Sequence, residues 1–351
     1  MDNINEHSEH VPGLIGWEIT GQCNLSCPHC YSAAGRKPYN EMTMGECKRI
    51  IDSMAALGVG TIGWTGGEPL LRDDLEELTG YAAEKGIACN VTTNAILLDA
   101  ARAKRLSEAG MTAVQISLDG STAERNYRIR RTTDEEFNLI ISAIRHCKEV
   151  NLQVHMATLL GRDTLDDARN MVELAKREGV DIIRFCGFAP IGRGKRNDIT
   201  ERMRFSDTLK DLLQFVEEAQ DDDTMVMTFD TSFGPVPPEF GFHKCIAGVE
   251  TFYLKGNGDI YPCTSLLNKR FLVGNINERP LEQLWNDPKM RAVSSYPSDR
   301  IEGPCRACDN FDYCHGACRG ASLAHTGNIN ASFPLCLYRT ARDRKILAIV
   351  E

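Results

Sequence analysis

Between residues 14 and 190 the chain alternates short apolar runs with longer stretches whose apolar positions recur every three to four residues. The runs LIGWEIT (14–20), TIGWTGG (61–67), CNVTTN (89–94), AVQISLDG (113–120), VHMATLL (154–160) and IIRFCGFAP (182–190) predict strands. Amphipathic stretches at about 43–57, 73–85, 98–109, 134–149, 165–178 and 205–219 predict helices. Repeated strand–helix units imply a parallel sheet covered by helices. Six units rather than eight predict an α/β fold of a particular kind, a partial (β/α)6 TIM-type barrel open on one side. In such folds the chemistry sits at the carboxyl ends of the strands.

After about residue 220 the texture changes. An acidic run, DDD (221–223), and a proline-rich stretch, GPVPPEF (234–240), lead into a region rich in glycine, cysteine and short strands. The organisation expected is a barrel over 1–220, a linker over 221–242 and a small cysteine-rich domain over 243–345.

Four unusual stretches fall where such a barrel keeps its chemistry. A cysteine triplet follows the first strand, GGEP (66–69) the second, TTNA (92–95) the third and SLDG (117–120) the fourth. That coincidence carries more weight than any one motif.

Composition narrows the function classes. A net charge of −9 argues against nucleic-acid binding. The densest basic stretches, RNYRIRR (125–131) and RGKR (193–196), are short; each reads as a solvated loop or as a site for an anionic group. No apolar run approaches the roughly 20 residues needed to span a bilayer. The N-terminus MDNINEHSEH is polar and acidic, unlike a secretory or transit signal, so a cytoplasmic protein with no membrane partner is expected. In that reducing setting fourteen cysteines point to metal or to cysteine chemistry.

The stretch GQCNLSCPHCYS (21–32) places Cys23, Cys27 and Cys30 within eight positions. Three thiolates can hold three corners of a [4Fe–4S] cluster and leave one iron open; the alternative is a zinc site completed by His29 or a distant residue. A CxxxCxxC after the first strand of a βα barrel resembles the radical S-adenosylmethionine (SAM) superfamily, a resemblance that runs from residue 14 to about 200. It implies that SAM supplies the missing ligand and is split by one electron to a 5′-deoxyadenosyl radical, which takes a hydrogen atom from substrate. It further implies roles for individual residues. Gly66 and Gly67 let a ligand approach the backbone, Glu68, followed by Pro69, accepts from the ammonium of SAM, and Asn94 and Ser117 lie near its ribose and methionine groups. Arg130 sits where relatives hold the SAM carboxylate, although Arg131 replaces the usual glycine after it and leaves Arg128 as a second choice. His29 packs near the adenine.

The terminal cysteines follow C-x12-G-x4-C, then C-x2-C-x5-C-x3-C, then a last cysteine. This resembles the SPASM extension of a subset of radical SAM enzymes, over 245 to 336; a zinc ribbon would use only four of the seven. The resemblance implies two auxiliary Fe–S clusters. Cys305, Cys308, Cys314 and Cys336 would hold one, and Cys245, Cys263 and Cys318 three corners of the other, whose last ligand is His243, another linker residue or the substrate. Gly258 starts a tight turn. Cys47, Cys89 and Cys147 read as packing residues, whereas Cys186, on the sixth strand, reads as a lining residue of a substrate cavity. Arg193, after that strand, reads either as a contact to a substrate carboxylate or as part of a capping loop.

Among SPASM enzymes, sulfatase maturases carry an aspartate where this chain has Thr264, which weakens that assignment. Haem-pathway members commonly have arginine where this chain has Tyr31, which favours a peptide or protein substrate, with tetrapyrrole side-chain modification as the alternative. Only 22 residues precede Cys23, so a leader-recognition module is expected to be a separate protein, and the reductant a ferredoxin or flavodoxin. From other classes, the rivals are a zinc-organised scaffold and an electron carrier that does not cleave SAM.

Overall fold

The computed structural model describes residues 11–35, 40–161, 164–202, 218–219, 224–229, 245–294, 296–334 and 336. Six strands, β1 (Leu14–Thr20), β2 (Thr61–Gly66), β3 (Ala88–Thr93), β4 (Met111–Ser117), β5 (Gln153–Leu160) and β6 (Ile182–Gly187), lie side by side in sequence order, every neighbouring pair parallel. Helices α1 (Met44–Leu57), α2 (Leu75–Glu84) and α3 (Ala100–Glu108) fill the first crossovers. These elements form the partial TIM-type barrel expected of the pattern.

Local chemistry sets their ends. Thr43 and Glu46 form a reciprocal cap on α1, and Gly58, at φ 83°, stops it in the left-handed region. On β1, Ile15, Trp17 and Ile19 are buried on the helix-covered face, where Trp17 and Trp64 lie 5.2 Å apart between ring centroids. Glu18 belongs to the opposite, inner face, because side chains alternate along a strand.

Three features depart from the sequence pattern. The basic stretch RNYRIRR is not a loop: most of it is α4 (Ala123–Arg130), capped by Thr122 and ended by Arg131 at φ 66°, and α5 (Asp134–Glu149) follows. α4 buries only Asn126 and Ile129, too little apolar periodicity to register. The helix expected at 165–178 opens with a 3-10 turn and becomes α6 only at Ala168–Arg177, while α7 covers Asn197–Arg202. Within the stretch read as a linker, Met225–Phe229 forms β7, parallel to β6; the rest of 221–242, apart from Thr224, lies outside the described residues. So do His243 and all of the 205–219 helix except its last two residues.

The cysteine-rich region shares the barrel's sheet. β8 (Thr251–Leu254) pairs parallel with the outer edge of β1, and β9 (Asp259–Tyr261) and β10 (Gly274–Asn275) continue antiparallel. Gly258, at φ 91°, makes the β8–β9 turn, and a Cβ there would meet Asn277 at 2.5 Å. Among the described residues no helix is long and apolar enough to cross a membrane.

Candidate active site

The loop carrying Cys23, Cys27 and Cys30 leaves the C-terminal end of β1 and is held by backbone from two other strand ends. From β2, Gly67 N–H donates to Thr20 O (2.8 Å) and Glu68 N–H to Gln22 O (2.7 Å). A Cβ on Gly67 would lie 1.9 Å from Gln22 O, and one on Gly66 2.3 Å from Thr20 O. The close approach that demands glycine at both positions is therefore made by the chain's own cysteine loop rather than by a ligand. Glu68 is fully buried, and its carboxylate accepts from Leu70 N–H (3.0 Å), Thr93 Oγ1 (2.6 Å) and Asn94 N–H (2.8 Å). Pro69 opens the 3-10 turn that follows. Asn94 donates from Nδ2 to Asn24 Oδ1 (2.8 Å), so the end of β3 also grips the loop beside Cys23.

The third grip comes from beyond β6. Arg193 donates from Nε to Cys27 O (2.9 Å) and from Nη1 to Ala34 O, and its backbone N–H donates to Cys30 O (2.9 Å). Gly192, at φ 56°, has no room for a Cβ, which would lie 2.2 Å from Tyr31 O. Two of the five guanidinium N–H donors of Arg193 are thus given to cluster-loop carbonyls, in keeping with the loop reading offered beside a substrate contact. A lysine carries its donors on one nitrogen and lacks the fixed fork that spans Cys27 and Ala34. Arg193→Lys is therefore expected to speed iron loss to a chelator about tenfold and to lower coupled and uncoupled SAM cleavage together, as loss of a charge-assisted hydrogen bond would. Retention of full uncoupled cleavage would count against the brace.

α4 supplies the charges. Arg130, half-buried, ion-pairs through Nε with Asp119 Oδ2 at 2.6 Å and lies beside Cys27 and Cys30. Arg128 turns outward to Glu124 (2.6 Å), so of the two candidates only Arg130 faces the cysteines. Arg131 adopts the left-handed conformation that makes glycine usual there. His29 lies 3.6 Å from Asp119 and 3.3 Å from Ile129 O, but burial pushes its pKa down to about 4, so beside an aspartate already paired to Arg130 it is a neutral ring. Ser117 ends β4 on the inner face.

Burial raises the Cys23 thiol to about 11 and holds Cys27 above its ordinary value, offset by Arg130. Thiols this desolvated ionise when a cationic iron centre binds them. Among the described residues no three His, Cys, Asp or Glu side chains converge as a single metal ion requires. Thiolates that each bind a different iron of one cluster need not converge so, and the donor set fits a cluster.

The terminal cysteines gather into two further groups. Cys263 is electrostatically coupled to Cys245 and Cys318, and Cys314 to Cys305 and Cys308; Cys336 packs in the same small cluster as Cys305 and Cys318. Between the groups lies Arg319, buried, donating to Ile329 O (3.2 Å), Ala331 O (2.8 Å) and Gly316 O, with its charge near Cys305, Cys314 and Cys318. A buried cation suits a place between anionic thiolate groups. Cys47, Cys89 and Cys147 are fully buried between helices and sheet.

Sequence reasoning missed Asp119, Arg319 and a row of inner-face residues. Glu18 pairs in register with Thr65, Thr92 with Gln115, and Gln115 with His155, while Arg184 and Cys186 occupy the inner positions of β6. Glu18 accepts from Tyr253 Oη (3.1 Å), which lies 3.4 Å from Tyr31 Oη, and Lys255 stands 3.8 Å from Glu18. The alternation of each strand marks these as inward polar residues, a signal present in the sequence.

Comparison with known proteins agrees with this geometry. A radical SAM superfamily model matches residues 17–175, and a SPASM iron–sulfur cluster-binding domain model matches 245–309. A mycofactocin maturase of Mycobacterium ulcerans is 28% identical over 340 residues, covering 95% of this chain and 89% of the relative. An AdoMet-dependent heme synthase of Methanosarcina barkeri is 26% identical over 353 residues, covering 95% and 98%. In fold, the chain is similar to Streptococcus suis SuiB bound to S-adenosylmethionine (TM-score 0.74, 19% identity, 92% of this chain and 76% of that one). It is also similar to anSMEcpe with bound AdoMet (TM-score 0.73, 19% identity, 95% and 98%).

Proposed function

Because the chain belongs to the radical SAM superfamily and carries a C-terminal SPASM domain, we propose that it oxidatively modifies a peptide or protein substrate by hydrogen abstraction. The observation that carries the radical reading is the thiol group at the end of β1, braced from three sides above a polar barrel interior. A [4Fe–4S] cluster with bound SAM would supply one-electron reductive cleavage there.

The chain's own residues do the rest. Cys23, Cys27 and Cys30 hold three irons. Glu68, fixed by three hydrogen bonds, is the residue that the resemblance assigns to the ammonium of SAM. Arg130, neutralised by Asp119 yet facing the cysteines, serves the SAM carboxylate. Asn94, Ser117 and the neutral ring of His29 line the remainder of the SAM site, while Gly66 and Gly67 act on it through the cysteine loop they seat and Pro69 through the turn behind Glu68. Cys305, Cys308, Cys314 and Cys336 take one auxiliary cluster, and Cys245, Cys263 and Cys318 hold the other at three corners. A ferredoxin or flavodoxin delivers the electron, and a leader-recognition protein presents the peptide.

Tyr31, rather than arginine, follows Cys30, which supports a peptide over other substrates; the likenesses to a mycofactocin maturase and to a heme synthase each run over 95% of this chain and do not discriminate. The likeness to a heme synthase over 98% of its length supports tetrapyrrole modification as the second reading. Anaerobic incubation of the reconstituted enzyme, SAM and dithionite with candidate peptides and tetrapyrroles, followed by mass spectrometry, tests both. A peptide losing two hydrogens or carbon dioxide in step with 5′-deoxyadenosine is the expected result; a change confined to the tetrapyrrole overturns the peptide reading.

A further inference from the structure

Three half-buried arginines of the barrel each stand against a carboxylate: Arg72 against Asp74 (2.7 Å), Arg102 against Glu76 (2.7 Å) and Arg130 against Asp119 (2.6 Å). Arg319 is buried more deeply than any of them, at 1% exposure, yet among the described residues no carboxylate pairs with it. Its guanidinium donates to Ile329 O (3.2 Å), Ala331 O (2.8 Å) and Gly316 O, and its Nε has no hydrogen-bond partner among those residues. Carbonyl oxygens orient a guanidinium but do not cancel its charge. A cation left uncompensated in a dry interior is strongly destabilising, so this one calls for an anion.

Cysteines surround it. Cys305 and Cys314 of one terminal group and Cys245 and Cys318 of the other lie within electrostatic range of its charge. The carbonyls it holds belong to the segments that carry ligands: Gly316 lies between Cys314 and Cys318, and Ile329 and Ala331 lead to Cys336. Gly316, at φ 79°, comes so near that a Cβ there would meet Nη2 at 3.2 Å. Burial pushes the Cys245, Cys263 and Cys314 thiols up, so as thiols they stay protonated and give Arg319 no counter-charge. Iron binding would convert them to thiolates. A buried, unmatched cation between two cysteine groups thus fits a pair of anionic clusters.

We infer that Arg319 is the shared counter-ion of the two auxiliary clusters and that its fixed charge raises the reduction potential of both. A thiolate-held cluster gains one more negative charge on reduction, and a neighbouring cation favours that state. The unspent Nε–H is the donor left for a thiolate sulfur, a contact that acts in the same direction. Arginine suits the post because its charge is permanent and its planar fork can be fixed by several carbonyls at once. The inference rests on the proposed reading of the terminal cysteines as ligands of two clusters, and it adds a positioning residue that tunes them.

The test uses reconstituted full-length protein carrying Cys27→Ala, so that the auxiliary clusters account for the EPR signals. Redox titration followed by EPR gives a midpoint potential for each signal. In Arg319→Gln both potentials are expected to fall, by about tenfold in the ratio of reduced to oxidised cluster at fixed potential, or about 59 mV for one electron. Arg319→Lys keeps the charge, so both potentials should stay within about threefold of the parent, while iron is lost faster to a chelator because the fixed fork is gone. Unmoved potentials in Arg319→Gln, or a shift in one cluster alone, overturn the inference, as does a lysine variant that matches the glutamine one. Should Arg319→Gln fail to retain iron, Arg319→Met is read in its place. Iron held by the lysine variant alone, with both potentials kept, shows that the site requires the charge. If no variant retains iron, lysine included, Arg319 is a brace only and the inference is overturned. A parent protein without iron would sink the cluster reading as well, whereas iron with unmoved potentials sinks this inference alone.

Discussion

Cys27→Ala is expected to abolish 5′-deoxyadenosine formation altogether while leaving most of the iron in place. The wild type, loaded with three cubane clusters, should carry about twelve iron per chain and the variant about eight. Cys27 differs from its partners in being nearly buried, with Arg193 bonded to its carbonyl and Arg130 beside its thiol. Removing its sulfur takes one corner from the cluster and leaves a dry, cation-flanked gap that water fills poorly. The auxiliary cysteines share no described contact with it, so their spectroscopic signal should persist. Iron analysis and reduced-state EPR with and without SAM check the outcome. A SAM-dependent EPR change surviving in the variant would sink the assignment.

Gly67→Ala is the second large effect. A methyl at that position would sit 1.9 Å from Gln22 O, which is backbone and cannot swing aside. Relief requires breaking the Gly67–Thr20 and Glu68–Gln22 hydrogen bonds that fasten the cysteine loop. The expected cost exceeds about 4 kcal/mol, a drop of roughly 5 °C or more in melting temperature for a chain of this length, with loss of the SAM-responsive cluster. Gly86→Ala is the control. Gly86, unlike Gly67, has a positive φ, 79°, but a Cβ there meets nothing within 4 Å, so about 1 kcal/mol is expected. Equal effects from the two substitutions would show that the loop contact costs no more than a left-handed glycine in open space, and would count against it.

The six barrel strands were legible because each alternates or runs apolar between turn residues, and their ends fell within three residues of expectation. α4 was not, because a helix that buries two side chains leaves no periodic trace. β7 was hidden by its length of five residues and by the acidic and proline-rich stretches on either side. The cysteine groups could be sorted by spacing because metal ligands cluster along the chain as well as in space. Arg193 could not: a long side chain at a strand end reaches in several directions, and only the fold reveals that Cys27 and Ala34 lie within its grasp. Asp119 stood inside a motif already singled out, SLDG, yet its partner Arg130 is eleven residues away on a helix that the pattern concealed.

The pairing of β1 with β8 bears on how the protein is made. Leu14 is synthesised early and Thr251 about 240 residues later, which at roughly 5–20 residues per second is an interval of some ten to fifty seconds on the ribosome. Throughout that interval one side of the nascent first strand has no neighbour to satisfy its amides and carbonyls, and such an edge invites pairing with other chains. Slower, cooler expression with ample holdase chaperone should favour soluble product, and truncation before Thr251 should yield inclusion bodies rather than a free-standing barrel.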